Sequence, residues 1–262
     1  MKKITYKNSV VNFTDKGTGT PIILFHGYLE NLSMWDFFIE AFATKHRIIA
    51  IDLLGHGATQ CIGYVHTMED HAAMVFSVLK NLKIKKAVFI GHSMGGYVAL
   101  SFATMFPKFL TGLVLLNSTS QADSPEKIDN RNKAIKIVKQ NFVSFVRLSV
   151  ANLFSTENHT RLFEAIENVK LEALKTPLQG IIAAQEGMKI RKDQSILLHT
   201  TQFPKLLVLG RKDAVLNYDE TSKQTKNTSV QLVTFSGGHM SHIENREELI
   251  EVLVRFFTDW KL

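Results

Sequence analysis

Short apolar runs bounded by turn residues recur along the chain, at residues 10–13, 22–25, 47–52, 87–90, 113–116, 205–209 and 230–235, each rich in Val, Ile, Leu or Phe. Between them lie segments with apolar residues at helical spacing, at 32–43, 68–82, 95–106, 218–226 and 246–260. Strands that are apolar throughout, separated by amphipathic helices, are what a mostly parallel sheet covered on both faces requires. The first run, followed by a turn at 15–20, is expected at the sheet edge. A length of 262 residues with 45% hydrophobic composition suits one α/β domain, with or without an insertion.

Residues 120–200 break the alternation. They show helical periodicity and phenylalanines but no strand pattern, in a place where a simple crossover needs only about a dozen residues. The expected organisation is a core of residues 1–119 and 201–262 with an inserted helical cap at 120–200; long crossover helices with loops are the alternative. The formal charge of +7 comes from scattered lysines, with no block of five like charges, so a solvated basic surface is favoured over a nucleic-acid footprint. Cys61 is the only cysteine, which excludes an internal disulfide and agrees with a reducing compartment. The first residues carry two lysines without a following apolar run, and no stretch approaches the roughly eighteen apolar residues of a membrane span. A cytoplasmic enzyme acting on a small molecule, without nucleic-acid or membrane partners, is the expectation. Oligomeric state is not legible.

The sharpest local signal is Gly91-His92-Ser93-Met94-Gly95, directly after one apolar run and directly before a helical pattern. A serine on so tight a turn takes a strained backbone and needs small neighbours two positions either side, which Gly91 and Gly95 supply. The helix that follows offers free amides and a dipole favouring negative charge. A serine hydroxyl needs a histidine to take its proton and a carboxylate to orient that histidine, both expected downstream in the order acid, then base. Asp213 ends Gly210-Arg211-Lys212-Asp213 just past a strand; Asp219 and Glu220 lie in a helical pattern, and Asp123 is the nearest carboxylate after the preceding strand. His239 follows Ser236-Gly237-Gly238 after the last strand, on a turn expected to be mobile, and is preferred as base to His242, expected to cap or line the site. His92 is expected to point away and pack. The oxyanion is expected to meet the backbone amides of Met94 and of Tyr28, in the loop opened by His26-Gly27.

Together Leu24-Phe25-His26-Gly27-Tyr28, Asp52-Leu53-Leu54-Gly55-His56-Gly57, Gly91-His92-Ser93-Met94-Gly95-Gly96, Gly210-Arg211-Lys212-Asp213 and Gly238-His239-Met240-Ser241-His242-Ile243-Glu244 resemble the capped α/β-hydrolase fold enzymes over nearly the whole chain. The resemblance implies a nucleophile at Ser93, an acid at Asp213, a base at His239 and oxyanion amides at Tyr28 and Met94, with His56 in a structural loop. Residues 120–200 then correspond to the helical lid of these enzymes. Epoxide and haloalkane hydrolases of this fold carry aspartate where Ser93 stands. No Walker A string, dinucleotide fingerprint, HExxH pair or zinc spacing occurs, so no cofactor or metal is implied. A carboxylesterase is the expected activity. Carbon-carbon hydrolysis, with cap arginines such as Arg131, Arg147, Arg161 or Arg191 binding a second carboxylate, and a ligand receptor without turnover are the alternatives. Phe142, Phe145, Leu148, Phe154 and Phe163 either line a hydrophobic pocket or form the cap's own core.

Overall fold

The apolar runs form one eight-stranded sheet in the computed structural model, which describes residues 1–262. Its strands are β1 (Lys2–Tyr6), β2 (Ser9–Phe13), β3 (Thr20–Phe25), β4 (His46–Ile51), β5 (Ala87–His92), β6 (Leu110–Leu116), β7 (Lys205–Gly210) and β8 (Val230–Phe235). They lie in the order β1-β2-β4-β3-β5-β6-β7-β8, parallel except at the β1–β2 and β2–β4 pairings. The edge differs from the expectation: β2 is covered by β1. Lys7 and Asn8 both have positive φ, 47° and 61°, which turns the chain in a tight hairpin that pairs Tyr6 with Ser9. A lysine-bearing, largely exposed strand lacks the apolar run that reveals buried ones.

Around the sheet lie α1 (Asp36–Phe42), α2 (Met68–Asn81), α3 (Met94–Met105), α4 (Pro125–Gln140), α5 (Phe142–Ala151), α6 (Phe163–Ala173), α7 (Leu178–Lys189), α8 (Ser195–Thr200), α9 (Tyr218–Ser222), α10 (Ser241–Glu244) and α11 (Arg246–Asp259). Successive strand residues face opposite ways, so β3 sends Ile23 and Phe25 into one core, with Met74, Val75 and Val78 of α2 and Phe102 of α3. Ile22 and Leu24 enter the other, with Phe38 of α1 and Phe256 of α11. Burying one such side chain contributes about 1.5–3 kcal/mol, which is why these strands tolerate no polar alternation. Thr67 and Asp70 form a reciprocal capping box that fixes where α2 begins. No helix is long and apolar enough to cross a membrane.

Helices α4 to α8 fill the interval between β6 and β7. The first four of them, α4 to α7, share a small core of Val138, Val146, Val150, Ile166 and Ile181 that also receives Leu29 and Met240 from loops at the sheet's carboxyl edge. Helix α7 meets the β4–α2 connection backbone to backbone: a Cβ on Gly187 would stand 1.7 Å from the His66 carbonyl oxygen, and Ala183 accepts a bond from the His66 N–H at 3.0 Å. Gly187→Ala is therefore expected to push α7 outward and to destabilise by about 1–3 kcal/mol, the ordinary cost of overpacking. Thermal melting checks this; an unchanged Tm would show that α7 is not held at that point.

Candidate active site

Strand β3 has β4 on one side and β5 on the other, so the loops after β3 and β5 flank a crevice at the sheet's carboxyl edge. Ser93 occupies the turn between β5 and α3 with φ 49° and ψ −115°, a region that disfavours a side chain. The neighbouring glycines are required by contact. A Cβ on Gly91 would lie 2.3 Å from the Gly95 carbonyl oxygen, and one on Gly95 2.3 Å from that of Phe25. The strained turn is held by Ser93 N–H donating to Leu116 O at 3.0 Å and by the Ser118 hydroxyl donating to Ser93 O at 2.8 Å. The Met94 N–H opens α3, where the helical ladder offers it no acceptor. The Tyr28 N–H, in the loop after β3, likewise bonds to no protein acceptor.

Asp213 follows β7. Its Oδ1 accepts from the N–H groups of Val215 and Leu216 at 2.8 and 2.9 Å, and its Oδ2 from the Asn117 amide at 3.2 Å and from His239 Nδ1 at 2.7 Å. Burial works to raise its pKa, but His239 and the two backbone N–H groups outweigh it and hold the carboxyl below its ordinary value. Asn117, which also donates to Gly238 O at 3.2 Å, is a residue of this site that the sequence did not single out. Asp123, Asp219 and Glu220 make no contact with His239; Asp123 pairs with Arg131 and Arg191 instead.

The turn carrying His239 is pinned, where mobility was expected. Glu244 accepts from Gly238 N–H at 2.9 Å and from Met240 N–H at 3.3 Å, and His239 N–H donates to Leu153 O at 2.8 Å. Its glycines serve close packing: a Cβ on Gly238 would stand 2.7 Å from the Ser155 nitrogen. His239 and Ser93 line one cavity of about 180 Å3, together with Tyr28, Leu29, His92, Tyr97, Val215 and five residues of the inserted helices and loops. Those five are Arg131, Ser149, Leu153, Gln185 and Met188. None of the five apolar residues singled out from the sequence is among them; Leu148 and Phe163 are exposed, and Val146, Val150 and Phe154 belong to the core of the inserted helices. Of the four arginines considered, only Arg131 lines it.

His92 does more than pack. Its Nδ1 lies 2.7 Å from Glu30 Oε2 and its Nε2 3.0 Å from the His239 carbonyl oxygen, both acceptors, a geometry that favours the imidazolium, which can donate from both ring nitrogens. Burial works to lower the pKa of His92, and Glu30 outweighs it and raises it. Burial likewise works to raise that of Glu30, and His92 then holds it down at about 2. The same carboxylate accepts from Gly27 N–H at 2.5 Å, which fixes the loop bearing Tyr28. His242 was expected to cap or line the site. It lies on the far side of Glu30, 3.8 Å from Oε1, where burial takes its pKa down to about 3. Ligand atoms of Glu30, His92 and His242 lie within 4.8 Å of one another, the one grouping suited to a cation, and here Glu30 and His92 are bonded to each other. His56 is buried in the loop after β4, beside His26, as expected of a structural residue.

Fold and site together define a hydrolase of α/β type. Residues 20–246 match the family model described as alpha/beta hydrolase fold, and the chain belongs to that family. It is 29% identical over 242 residues to the dihydrolipoyllysine-residue acetyltransferase component of the acetoin cleaving system of Pseudomonas putida, covering 91% of this chain and spanning 63% of that longer protein. It is 27% identical over 251 residues to a putative 2-succinyl-6-hydroxy-2,4-cyclohexadiene-1-carboxylate synthase of Bacillus subtilis, covering 90% of each. Among solved structures, a malate-bound thermophilic esterase from Thermogutta terrifontis superposes with a TM-score of 0.91 at 30% identity, covering 96% of this chain and 94% of that one.

Proposed function

We propose that this hydrolase is a carboxylesterase working through Ser93, His239 and Asp213, with residues 120–200 as a cap that closes over a small substrate. The observation that carries this reading is the His239–Asp213 pair, 2.7 Å apart, with its imidazole facing the same small cavity as a strained serine at a helix N-terminus. His239 takes the hydroxyl proton as Ser93 attacks the ester carbonyl, and the Tyr28 and Met94 amides receive the oxyanion. His239 then passes its proton to the departing alkoxide. Water, activated by the same imidazole, releases the acid and regenerates Ser93. Asp213 keeps the proton of neutral His239 on Nδ1, so that Nε2 is free to act. A cavity of about 180 Å3 is below the usual 300–1,000 Å3 of ligand pockets, which favours short esters.

The test is hydrolysis of a p-nitrophenyl ester series from acetate to a long chain, with Ser93→Ala as control. Turnover peaking at short acyl length and lost by at least about 10^4-fold in the variant is expected. Equal rates for the two proteins would refute Ser93 as nucleophile.

A further inference from the structure

Three of the residues lining the cavity, Tyr28, Arg131 and Gln185, carry hydrogen-bond donors. Arg131, from α4, uses Nε and one NH2 hydrogen on Asp123, at 2.5 and 3.4 Å, and one NH1 hydrogen on Gln185 Oε1 at 3.0 Å. Of five guanidinium N–H groups, two remain. Gln185, from α7, is 6% exposed; its oxygen is taken by Arg131, which leaves its amide hydrogens for the Tyr28 hydroxyl and the cavity. The Tyr28 hydroxyl is buried with no partner at hydrogen-bond distance; burial pushes its pKa above the ordinary phenol value against the opposing effect of Gln185 and Arg131, so it stays a donor. All three residues line the cavity of Ser93 and His239.

Charge points the same way. Asp123 is fully buried and shared between Arg131 and Arg191, whose NH1 lies 2.6 Å away, so two cations meet one anion. No carboxylate lines the cavity; its ionisable residues are Arg131, His92, His239 and two tyrosines. A wall that only held Asp123 in place would have no need of a phenol hydroxyl buried without a partner in the same space, since an unpaired buried donor carries a penalty of about 1–3 kcal/mol. A ligand oxyanion satisfies it together with the Gln185 amide and Arg131.

We propose that the cavity selects esters whose acyl arm ends in a carboxylate, received by the Tyr28 hydroxyl, the Gln185 amide and the free N–H groups of Arg131. This rests on the esterase reading and adds its substrate class: half-esters of short dicarboxylic acids.

The experiment compares monomethyl glutarate with methyl hexanoate, followed by proton release, and adds the melting of Ser93→Ala with and without glutarate as a readout independent of turnover. Expected are kcat/KM at least about tenfold higher for the half-ester, and a glutarate-induced rise in Tm. Gln185→Met keeps the side-chain volume and leaves the Arg131–Asp123 pair in place; it should cut the preference severalfold and shrink the Tm shift. Hydrolysis of methyl hexanoate at an equal or higher rate with no glutarate shift would overturn the assignment and leave the esterase reading intact. So would a preference and shift that survive Gln185→Met unchanged. A glutarate shift without turnover of either ester would support the carboxylate site and count against the esterase reading.

Discussion

Asp213→Asn is expected to lower kcat for ester hydrolysis about 10^4-fold and to lower Tm by a few degrees while leaving the fold intact. The Asp213 Oδ1 is held by the Val215 and Leu216 N–H groups, so the single oxygen of an asparagine stays with those two donors. Its NH2 must then take the place of Oδ2, facing His239 Nδ1 and the Asn117 amide. A donor there forces the proton of His239 onto Nε2, the atom that should accept from Ser93, and sets two amide groups against each other. Steady-state kinetics with circular dichroism as a folding control measure both. A variant retaining more than a tenth of the wild-type kcat would mean that Asp213 does not orient the base.

The second large effect is on stability. Removing Glu30 by Glu30→Ala leaves the His92 imidazolium buried without its anion and the Gly27 N–H without its acceptor, at a cost of about 3–5 kcal/mol. For a chain of this size that is roughly a 10 °C fall in Tm. The effect should depend on pH with a definite sign. Glu30 is held at about 2, well below its ordinary 4.5, so its contribution is complete above pH 4.5 and disappears as pH falls toward 2. His92 is raised above 6.5, so its contribution is complete below that value and is lost as pH rises through the raised one. These are two views of one interaction, and the wild-type advantage over Glu30→Ala should peak between about pH 4.5 and 6.5. His26, His242 and, beyond it, Arg246 face the carboxylate, and Asp213 and His239 face the imidazolium, so neighbouring titrations broaden the window without reversing it. Melting curves for both proteins from pH 3 to 9 decide; a difference in Tm that is flat with pH would sink the ion-pair account.

The helices and the parallel strands were legible because each declares itself over a few consecutive residues. Val230–Phe235 forms a strand with the expected bounds, and α2 begins one residue after the threonine that caps it. The Ser93 turn was legible for the same reason: its two glycines, its strand and its helix are contiguous. Strand β1 was not, since an exposed edge needs no apolar run. The helical character of residues 120–200 was legible too, but not which of its side chains would reach the cavity. Phenylalanine was the natural choice, and Arg131, Gln185 and Met188 line it instead, because docking of α4 and α7 on the core sets their rotation. Glu30 carried no signal, its partner His92 being 62 residues away.

By itself the sequence determined the alternation of buried strands and helices, the position of the strained serine turn, and that Asp213 and then His239 follow it on turns after strands. These rest on local geometry and on periodicity, which adjacent residues impose. Tertiary structure alone decided that Glu30 holds both the Tyr28 loop and the imidazolium behind His239, that Asn117 steers Asp213, and that Arg131, Gln185 and Met188, not phenylalanines, face the cavity. Those contacts join residues distant in the chain, and hydrogen bonds of 2.5–3.2 Å exist only once the packed sheet and the helices laid over it have fixed their ends.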